Sequence, residues 1–191
     1  PGVVRAFNRQ VAALEAHRIT VPVPPPRFHW PDLPTPAGVP LLRCLEVSVA
    51  GRLTGPVTLE IAGGDKVLVT GPNGAGKSTL LAVLARALPP DPGEVRHLGG
   101  LRLASLLQES PDWPRQHLPD RIYEEHIGRL VSQGRVSESD LVPLGATGLL
   151  DREARRTPVG RMSDGQRRRL DLAVQLAGRP NLVLLDEPTN H

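Results

Sequence analysis

The sequence lacks any long apolar run, and this absence excludes a membrane-spanning helix in the chain. A helix that crosses a bilayer needs about 20 consecutive apolar residues, and no such run occurs among the 191 residues. The first residues contain no basic stretch followed by an apolar run, so no secretory signal is recognisable. We therefore expect a cytoplasmic protein with no membrane insertion. Its 39% hydrophobic content is typical of an ordinary globular domain.

Cysteine and lysine are both scarce. The single cysteine, Cys44, excludes an internal disulfide, and we interpret it as a small buried hydrophobic residue. Only Lys66 and Lys77 stand against 21 arginines, a bias typical of GC-rich coding sequence. Against that background, a lysine at position 77 indicates a specific chemical requirement. The net charge of +3 is too small to identify a partner.

Periodicity and proline content divide the chain into a leading segment and a domain. Residues 1–19 have the apolar spacing of an amphipathic helix, and residues 21–40 contain eight prolines, which favour an extended linker. We therefore expect a linker over residues 1–40 and a domain over residues 41–191. Within the domain, residues 110–160 are predicted to form a helical subdomain.

Short apolar runs and helical spacings predict the elements of this domain. Strands are predicted at 41–49, 57–61, 66–70, 101–107 and 182–186. Helices are predicted directly after Gly76 and at 120–131, 139–150 and 163–178. The alternation of strand, loop, helix and strand predicts an α/β fold with a parallel sheet.

Residues 71–78, Gly-Pro-Asn-Gly-Ala-Gly-Lys-Ser, match the phosphate-loop pattern. Glycines let backbone N–H groups turn inward around phosphate oxygens, and the amino end of the following helix attracts the same anion. Lys77 can reach the β- and γ-phosphates, and the Ser78 hydroxyl can ligate Mg²⁺. We therefore predict ATP and Mg²⁺ as ligands. The predicted nucleotide contacts of this loop are Gly71, Pro72, Asn73, Gly74, Ala75, Gly76, Lys77, Ser78 and Thr79.

A second motif places two carboxylates after an apolar run. Residues 182–185 are Leu-Val-Leu-Leu, and Asp186 and Glu187 follow them. Ligands bind at the carboxyl ends of parallel strands, so both side chains are expected at the functional edge of the sheet. We predict Asp186 as a metal ligand and Glu187 as the general base that activates water.

Met162-Ser163-Asp164-Gly165-Gln166 resembles the signature motif of ABC ATPases, and residues 41–191 carry this family's motifs in its order. The resemblance implies a P-loop NTPase sheet with an antiparallel β subdomain at its edge and a helical subdomain. It also implies that two such domains pack head to tail. Ser163, Gly165 and Gln166 would then contact a nucleotide held by a second ABC domain.

The sequence departs from the family pattern at Asp164, where the family has glycine. We expect its carboxylate near the docked phosphate or paired with Arg168 at i,i+4. The resemblance implies that Gln108 contacts the metal and the attacking water. No aromatic residue lies between Trp30 and Gly71 to stack on adenine. The base is therefore expected to rest on Arg52 or Val49.

The final residues, Pro188-Thr-Asn-His191, resemble the ABC-F subfamily. Its members are soluble, carry two ATPase domains and act on the ribosome. Residues 1–40 resemble the end of the linker that enters the second domain, so we interpret the chain as part of a second domain. The arginine-rich composition favours an actinobacterial antibiotic-resistance member of this subfamily. The alternatives are an ATP-binding subunit of a membrane transporter, a repair or chromosome ATPase, and a nucleotide-dependent binding module. A repair or chromosome ATPase would need a long coiled coil inserted inside the domain, and the sequence contains no such insertion.

The resemblance also implies a further strand and a switch histidine beyond His191. We therefore expect a C-terminally truncated domain that lacks its C-terminal strands and leaves apolar edges unpaired. Residues 1–191 alone are expected to show no significant ATP hydrolysis, although the phosphate loop is local enough to bind ATP.

Overall fold

The computed structural model describes residues 35–106 and 111–186. Its strands are β1 (Pro40–Val49), β2 (Leu53–Ala62), β3 (Glu94–His97), β4 (Leu103–Leu106) and β5 (Leu182–Leu185). Its α-helices are α1 (Lys77–Leu84), α2 (Pro119–Ser132), α3 (Arg152–Arg155) and α4 (Asp164–Ala177). Three 3₁₀ turns lie at Glu138–Asp140, Leu144–Ala146 and Val159–Arg161.

The first strands form an antiparallel sheet in the order β2-β1-β3. β1 is its centre and pairs with both neighbours, with Leu42 opposite Ile61 on one side and His97 on the other. Glu46 has a φ of +48°, and the register with β2 shifts at this point. This bulge changes the alternation of the strand, so that Cys44 and Val47 are both buried. The prediction that Cys44 is a buried hydrophobic residue is confirmed, and its burial raises the pKa of the thiol.

β4 and β5 form a parallel pair, which confirms the predicted α/β class. Their register places Leu103 beside Leu182 and Leu106 beside Leu185, so the two strands end together. The crossover between them runs through the helices of residues 119–177, and α4 packs against β4. Because the strands are parallel, the residues that follow Leu106 and Leu185 leave the same edge of the pair.

The prediction of a strand at residues 66–70 is wrong. Residues 65–72 have no regular secondary structure, and Val67 and Leu68 are 57% and 84% exposed. A strand needs a neighbour to pair with its backbone, and no segment within 35–106 or 111–186 pairs with residues 66–70. The prediction used only the local apolar composition, whereas a strand also requires a pairing partner from another part of the chain.

The helix predicted at 139–150 is also wrong. The segment contains two short 3₁₀ turns at Glu138–Asp140 and Leu144–Ala146. Pro143 and Gly145 interrupt the helical spacing, and Gly148 has a φ of +73°, which an α-helix does not accommodate. The helices predicted after Gly76, at 120–131 and at 163–178 are confirmed within a few residues of their bounds. The helix predicted at 1–19 and most of the linker predicted over 1–40 lie outside the described residues.

The buried side chains form two clusters. One lies between the antiparallel sheet, α1 and β5, and contains Leu42, Cys44, Val47, Val49, Ile61, Leu80, Leu81, Val83, Leu84, Val95 and Leu184. The other lies within the helical part, and contains Ile122, Tyr123, Leu144, Leu149, Leu150, Ala154, Val159, Met162, Leu170, Ala173, Val174 and Leu176. Neither part includes, among the described residues, a helix long and apolar enough to cross a membrane.

Asp171 is a buried carboxylate on α4. Its side chain is 2% exposed, and its Oδ1 atom has no hydrogen-bond partner within the described residues. Burial raises its pKa to about 6, against smaller opposing effects of Gln175 and Arg168. The folded protein therefore binds a proton more tightly than the unfolded chain, so ionisation of Asp171 costs stability as the pH rises.

Asp171→Asn is expected to increase the free energy of unfolding by about 1 to 3 kcal/mol at pH 8. The increase should be complete above the folded pKa of about 6 and should shrink as the pH falls toward the ordinary value of 3.8. Urea unfolding across this pH range measures the difference between variant and parent. Asp164→Asn, on the exposed first turn of α4, is the control. A constant difference at every pH would show that Asp171 does not titrate on folding.

Candidate nucleotide site

Glycines shape the loop that enters α1. Gly74 and Gly76 have φ values of +83° and +91°, a left-handed backbone that residues with a Cβ atom rarely adopt. The Ala75 N–H group donates to the Pro72 carbonyl at 3.2 Å, and Leu80 N–H donates to the Gly76 carbonyl at 2.8 Å. The loop therefore turns directly into the helix, as the sequence pattern predicts.

Gly76 is required for space as well as for conformation. A Cβ atom at this position would lie 2.3 Å from the Arg52 carbonyl oxygen and 3.0 Å from a methyl group of Leu53. The first distance is shorter than a real Cβ contact, and the atom it meets is backbone. The glycine loop is thus seated directly against the turn between β1 and β2.

Lys77 folds back across the loop that precedes it. Its Nζ atom donates to the carbonyl oxygens of Gly71 at 2.9 Å and Pro72 at 3.0 Å. These bonds hold a positive charge beside the start of the loop, at the amino end of α1. The ammonium group has three donors, so it can orient the loop and bind an anion.

The amino end of α1 is not capped by a side chain. Its N-cap is Gly76, which provides no side-chain acceptor, and its first turn contains no acidic residue. The free N–H groups and the helix dipole therefore favour a negatively charged ligand at this end. The phosphate groups of a nucleotide have this charge.

A cavity of about 390 Å³ opens at the loop. It is lined by Gly51, Arg52, Asn73, Gly74, Gly76, Lys77, Ser78 and Thr79. The structure thus brings together six of the nine predicted loop contacts and adds the β1–β2 turn. Gly71, Pro72 and Ala75 belong to the loop but do not line the cavity. Of the two residues expected to support adenine, Arg52 lines this cavity, whereas Val49 is buried in the core.

Asp186 follows β5 at the edge where both parallel strands end. It is 5% exposed, and its N–H group donates to the Leu106 carbonyl at 3.0 Å. The bond continues the β4–β5 ladder by one residue and fixes the backbone of Asp186. Asp186 is not one of the described residues that line the 390 Å³ cavity.

The signature segment begins α4 with a capping box. Ser163 Oγ accepts a bond from the Gln166 N–H at 3.2 Å, and Ser163 N–H donates to Gln166 Oε1 at 2.9 Å. The side chain of Gln166 is therefore engaged in the cap. A Cβ atom at Gly165 would meet no atom within 4 Å, so this turn faces open space. Met162, the first residue of this segment, is buried in the helical cluster.

The expected pairing of Asp164 with Arg168 is wrong. Asp164 forms its ion pair with Arg167, three residues along the helix. Arg168 instead crosses to the sheet, where its Nη2 atom donates to the carbonyls of Leu106 and Asp186. Helical spacing allows residue 164 to pair with either Arg167 at i,i+3 or Arg168 at i,i+4. The contacts of Arg168 depend on strands that are distant in the chain.

Two predicted catalytic residues, Gln108 and Glu187, lie outside the described residues. Each follows a strand end that the structure does describe. Gln108 comes two residues after Leu106, and Glu187 comes directly after Asp186. The two strands end side by side, with Leu106 beside Leu185.

The glycine loop, the helix that follows it, the buried aspartate at the parallel strand ends and the capped α4 define a nucleotide-binding domain of the phosphate-loop class. A family profile described as ABC transporter matches residues 54–190. The chain belongs to this ABC family of ATP-binding domains, as its motifs predicted.

Curated relatives include ABC-F proteins. The chain is 40% identical over 156 residues to the Tylosin resistance ATP-binding protein TlrC of Streptomyces fradiae, covering 82% of this chain and 27% of that protein. It is 36% identical over 176 residues to ABC transporter F family member 4 of Arabidopsis thaliana, covering 86% of this chain and 23% of that protein. The chain thus spans about a quarter of the length of these two relatives.

Solved structures agree on the fold. The structure titled ATP binding subunit of ABC transporter has a TM-score of 0.62 at 23% identity, covering 78% of this chain and 67% of that one. A putative ABC transporter ATP-binding protein from Pyrococcus furiosus has a TM-score of 0.53 at 24% identity, covering 78% and 76%. These similarities confirm the predicted ABC-type P-loop fold.

Proposed function

We propose that residues 41–191 are an ATP-binding and ATP-hydrolysing domain of an ABC-F factor that acts on the ribosome. The observation that carries the nucleotide assignment is the Lys77 ammonium group beside the uncapped amino end of α1, above a glycine loop that opens on a cavity of about 390 Å³. The contacts of the individual residues follow from this arrangement.

The loop residues 71–79 bind the nucleotide phosphates. The N–H groups at the amino end of α1 point toward them, and Lys77 exchanges its bonds to the Gly71 and Pro72 carbonyls for phosphate oxygens. A charged donor bonded to a charged acceptor forms a stronger hydrogen bond than it forms with a neutral carbonyl. Arg52 borders the same cavity and supports the base.

The available donors fit a Mg²⁺ ion bound together with the nucleotide. Within residues 35–106 and 111–186, no group of three His, Cys, Asp or Glu side chains is placed to hold a metal alone. Mg²⁺ usually takes one or two protein oxygens and completes its shell with phosphate and water. Ser78 and Asp186 supply oxygens of this kind, and we assign Gln108 to the same shell. When bound, the ion would neutralise charge on the phosphates.

Glu187 performs the proton transfer of hydrolysis. Its carboxylate accepts a proton from water as the water oxygen bonds to the γ-phosphorus and the bond to the β–γ bridging oxygen breaks. Gln108 orients the same water. Both residues follow strands that end at one edge, which is the geometry that this step needs.

A second ABC domain completes the site. The exposed first turn of α4, with Ser163 at its N-cap and open space at Gly165, offers free N–H groups to the γ-phosphate of a nucleotide held by that domain. The ion pair between Asp164 and Arg167 offsets the negative charge at this position. ATP binding would therefore close the two domains on each other, and hydrolysis would allow them to separate.

Two sequence features support the ABC-F role: the terminal Pro188-Thr-Asn-His191, and the similarity to the tylosin-resistance and ABC-F proteins. The competing function is an ATP-binding subunit of a transporter. It is favoured by 34% identity over 151 residues to the Cobalt import ATP-binding protein CbiO of Rhodobacter capsulatus, covering 70% of this chain and 52% of that protein.

Glu187→Gln, made in the complete open reading frame that encodes this chain, is expected to remain bound to ribosomes when ATP is present. The variant keeps the phosphate loop and Asp186 but cannot complete hydrolysis, so the ATP-bound state persists. Sedimentation of ribosomes with ATP or ADP measures the retention. Lys77→Ala with Glu187→Gln is the control, because it should release the ribosome in both nucleotides. ATP hydrolysis by the parent without retention of the variant would contradict the ABC-F role and favour the transporter subunit.

A further inference from the structure

We propose that Arg168 is a positioning residue that transmits movement of α4 to the backbone from which Gln108 and Glu187 depart. The inference rests on the function proposed above. It extends that function by linking the signature, which contacts one ATP, to the water-activating residues that act on another.

Arg168 joins the ends of the two parallel strands. Its Nη2 atom donates to the Leu106 carbonyl at 3.3 Å and to the Asp186 carbonyl at 3.2 Å. The Leu106 oxygen also accepts the Asp186 N–H group at 3.0 Å. One guanidinium group therefore holds both strand ends at the point where their ladder stops, and its positive charge strengthens each bond.

The two carbonyls belong to specific peptide groups. The Asp186 carbonyl lies in the peptide that joins Asp186 to Glu187, and the Leu106 carbonyl lies in the peptide that leads through one residue to Gln108. Rotation of either peptide redirects the next side chain. Since a displacement of about 1 Å can change a rate by about 100-fold, fixing these peptides has consequences for turnover.

The neighbouring arginines of α4 do not make this connection. Arg167 bonds to the carboxylate of Asp164, and Arg169 donates to the Gly165 carbonyl at 3.2 Å. Both bonds stay within the first turns of the helix. Of the three, Arg168 is the one that bonds to the described strand ends. The buried carboxylate of Asp171, one turn farther along α4, interacts favourably with its charge.

The position of Arg168 on α4 connects the signature turn to the ends of β4 and β5. Ser163 and Arg168 are five residues apart, about 7.5 Å along a helix that rises about 1.5 Å per residue. When the signature turn docks on the γ-phosphate held by a second domain, α4 moves as a rigid unit. Arg168 then carries that movement to the peptides of Leu106 and Asp186 in its own domain. Each ATP site thereby influences the chemistry of the other.

Arg168→Met in the complete open reading frame is the test, with Arg169→Met as the matched control. Two measurements are made: hydrogen exchange of the backbone segment 182–187, and steady-state ATP hydrolysis. In Arg168→Met we expect exchange at Asp186 and Glu187 to accelerate by about tenfold, since a charged hydrogen bond is lost. We expect kcat to fall by about tenfold or more, with the KM for ATP within about threefold of the parent because the phosphate loop is untouched. Arg169→Met should match the parent in both.

Arg168→Lys distinguishes positioning from a general loss of stability. An ammonium group has enough donors to reach both carbonyls, so this variant should recover part of the kcat and the exchange protection. If Arg168→Met does not fold, Arg168→Lys is compared with Arg169→Lys. Equal exchange and equal kcat for the position-168 and position-169 variants would overturn the inference. No ATP hydrolysis by the parent would overturn the proposed function instead, while the exchange comparison still tests the contact.

Discussion

Glu187→Gln is expected to slow ATP hydrolysis by about 10²- to 10⁴-fold, the usual contribution of a general base. The amide has nearly the shape of the carboxylate but cannot accept the proton of the attacking water. The phosphate loop, Lys77 and Asp186 remain intact, so ATP binding should not weaken. Single-turnover hydrolysis of radiolabelled ATP by the complete open reading frame measures the rate, and a binding titration measures the affinity.

The control for this variant is Glu138→Gln, an exposed acidic residue in the 3₁₀ turn at Glu138–Asp140. It removes the same charge at a site remote in sequence from the strand ends, and its rate should equal that of the parent. A normal rate for Glu187→Gln would mean that another group accepts the proton. An equal loss of ATP affinity and rate would mean that Glu187 serves binding instead of proton transfer.

Lys77→Ala is expected to weaken ATP binding by about 10- to 100-fold, because a hydrogen bond to a charged group contributes about 1.5 to 3 kcal/mol. The Nζ bonds to Gly71 and Pro72 show that the side chain already lies across the loop. The variant loses the charge that opposes the phosphates, and turnover at any practical ATP concentration should fall with the affinity. Fluorescent ATP-analogue binding and phosphate release measure both effects.

The sequence contains a matched control for Lys77 in its only other lysine. Lys66 is exposed, lies before the loop and lines none of the 390 Å³ cavity. Lys66→Ala removes the same charge from the chain and should bind ATP as the parent does. Equal weakening by both variants would show that net charge, and not the position of Lys77, governs the affinity.

Features set by local sequence were predictable. The glycine loop and its helix follow from residue types at fixed spacing, and Ser163 followed by Gln166 forms the capping box that begins α4. α2 was predicted within one residue of its bounds, because its apolar spacing and its stop are local. Asp186 was likewise predicted at a strand end without knowledge of the partner strand.

Features set by distant partners were not predictable in the same way. β3, with the sequence Glu-Val-Arg-His, has little strand character and is a strand because β1 pairs with it. Residues 66–70 have strong strand character but pair with no other segment of the part of the chain that the structure describes. The bonds of Arg168 to Leu106 and Asp186 span 62 and 18 residues, so helical spacing suggested Asp164 as its partner instead.

The contact between Gly76 and the Arg52 carbonyl restricts how this domain can diverge. A methyl group at position 76 would strike the peptide that also presents Arg52 to the cavity. The glycine loop and the β1–β2 turn that lines the same cavity are therefore constrained to vary together. A hairpin of different length grafted between β1 and β2 would alter the fit to the loop even with the whole glycine motif retained. Changes in base preference in such domains are accordingly expected through side-chain replacement at Arg52, with the length of the turn conserved.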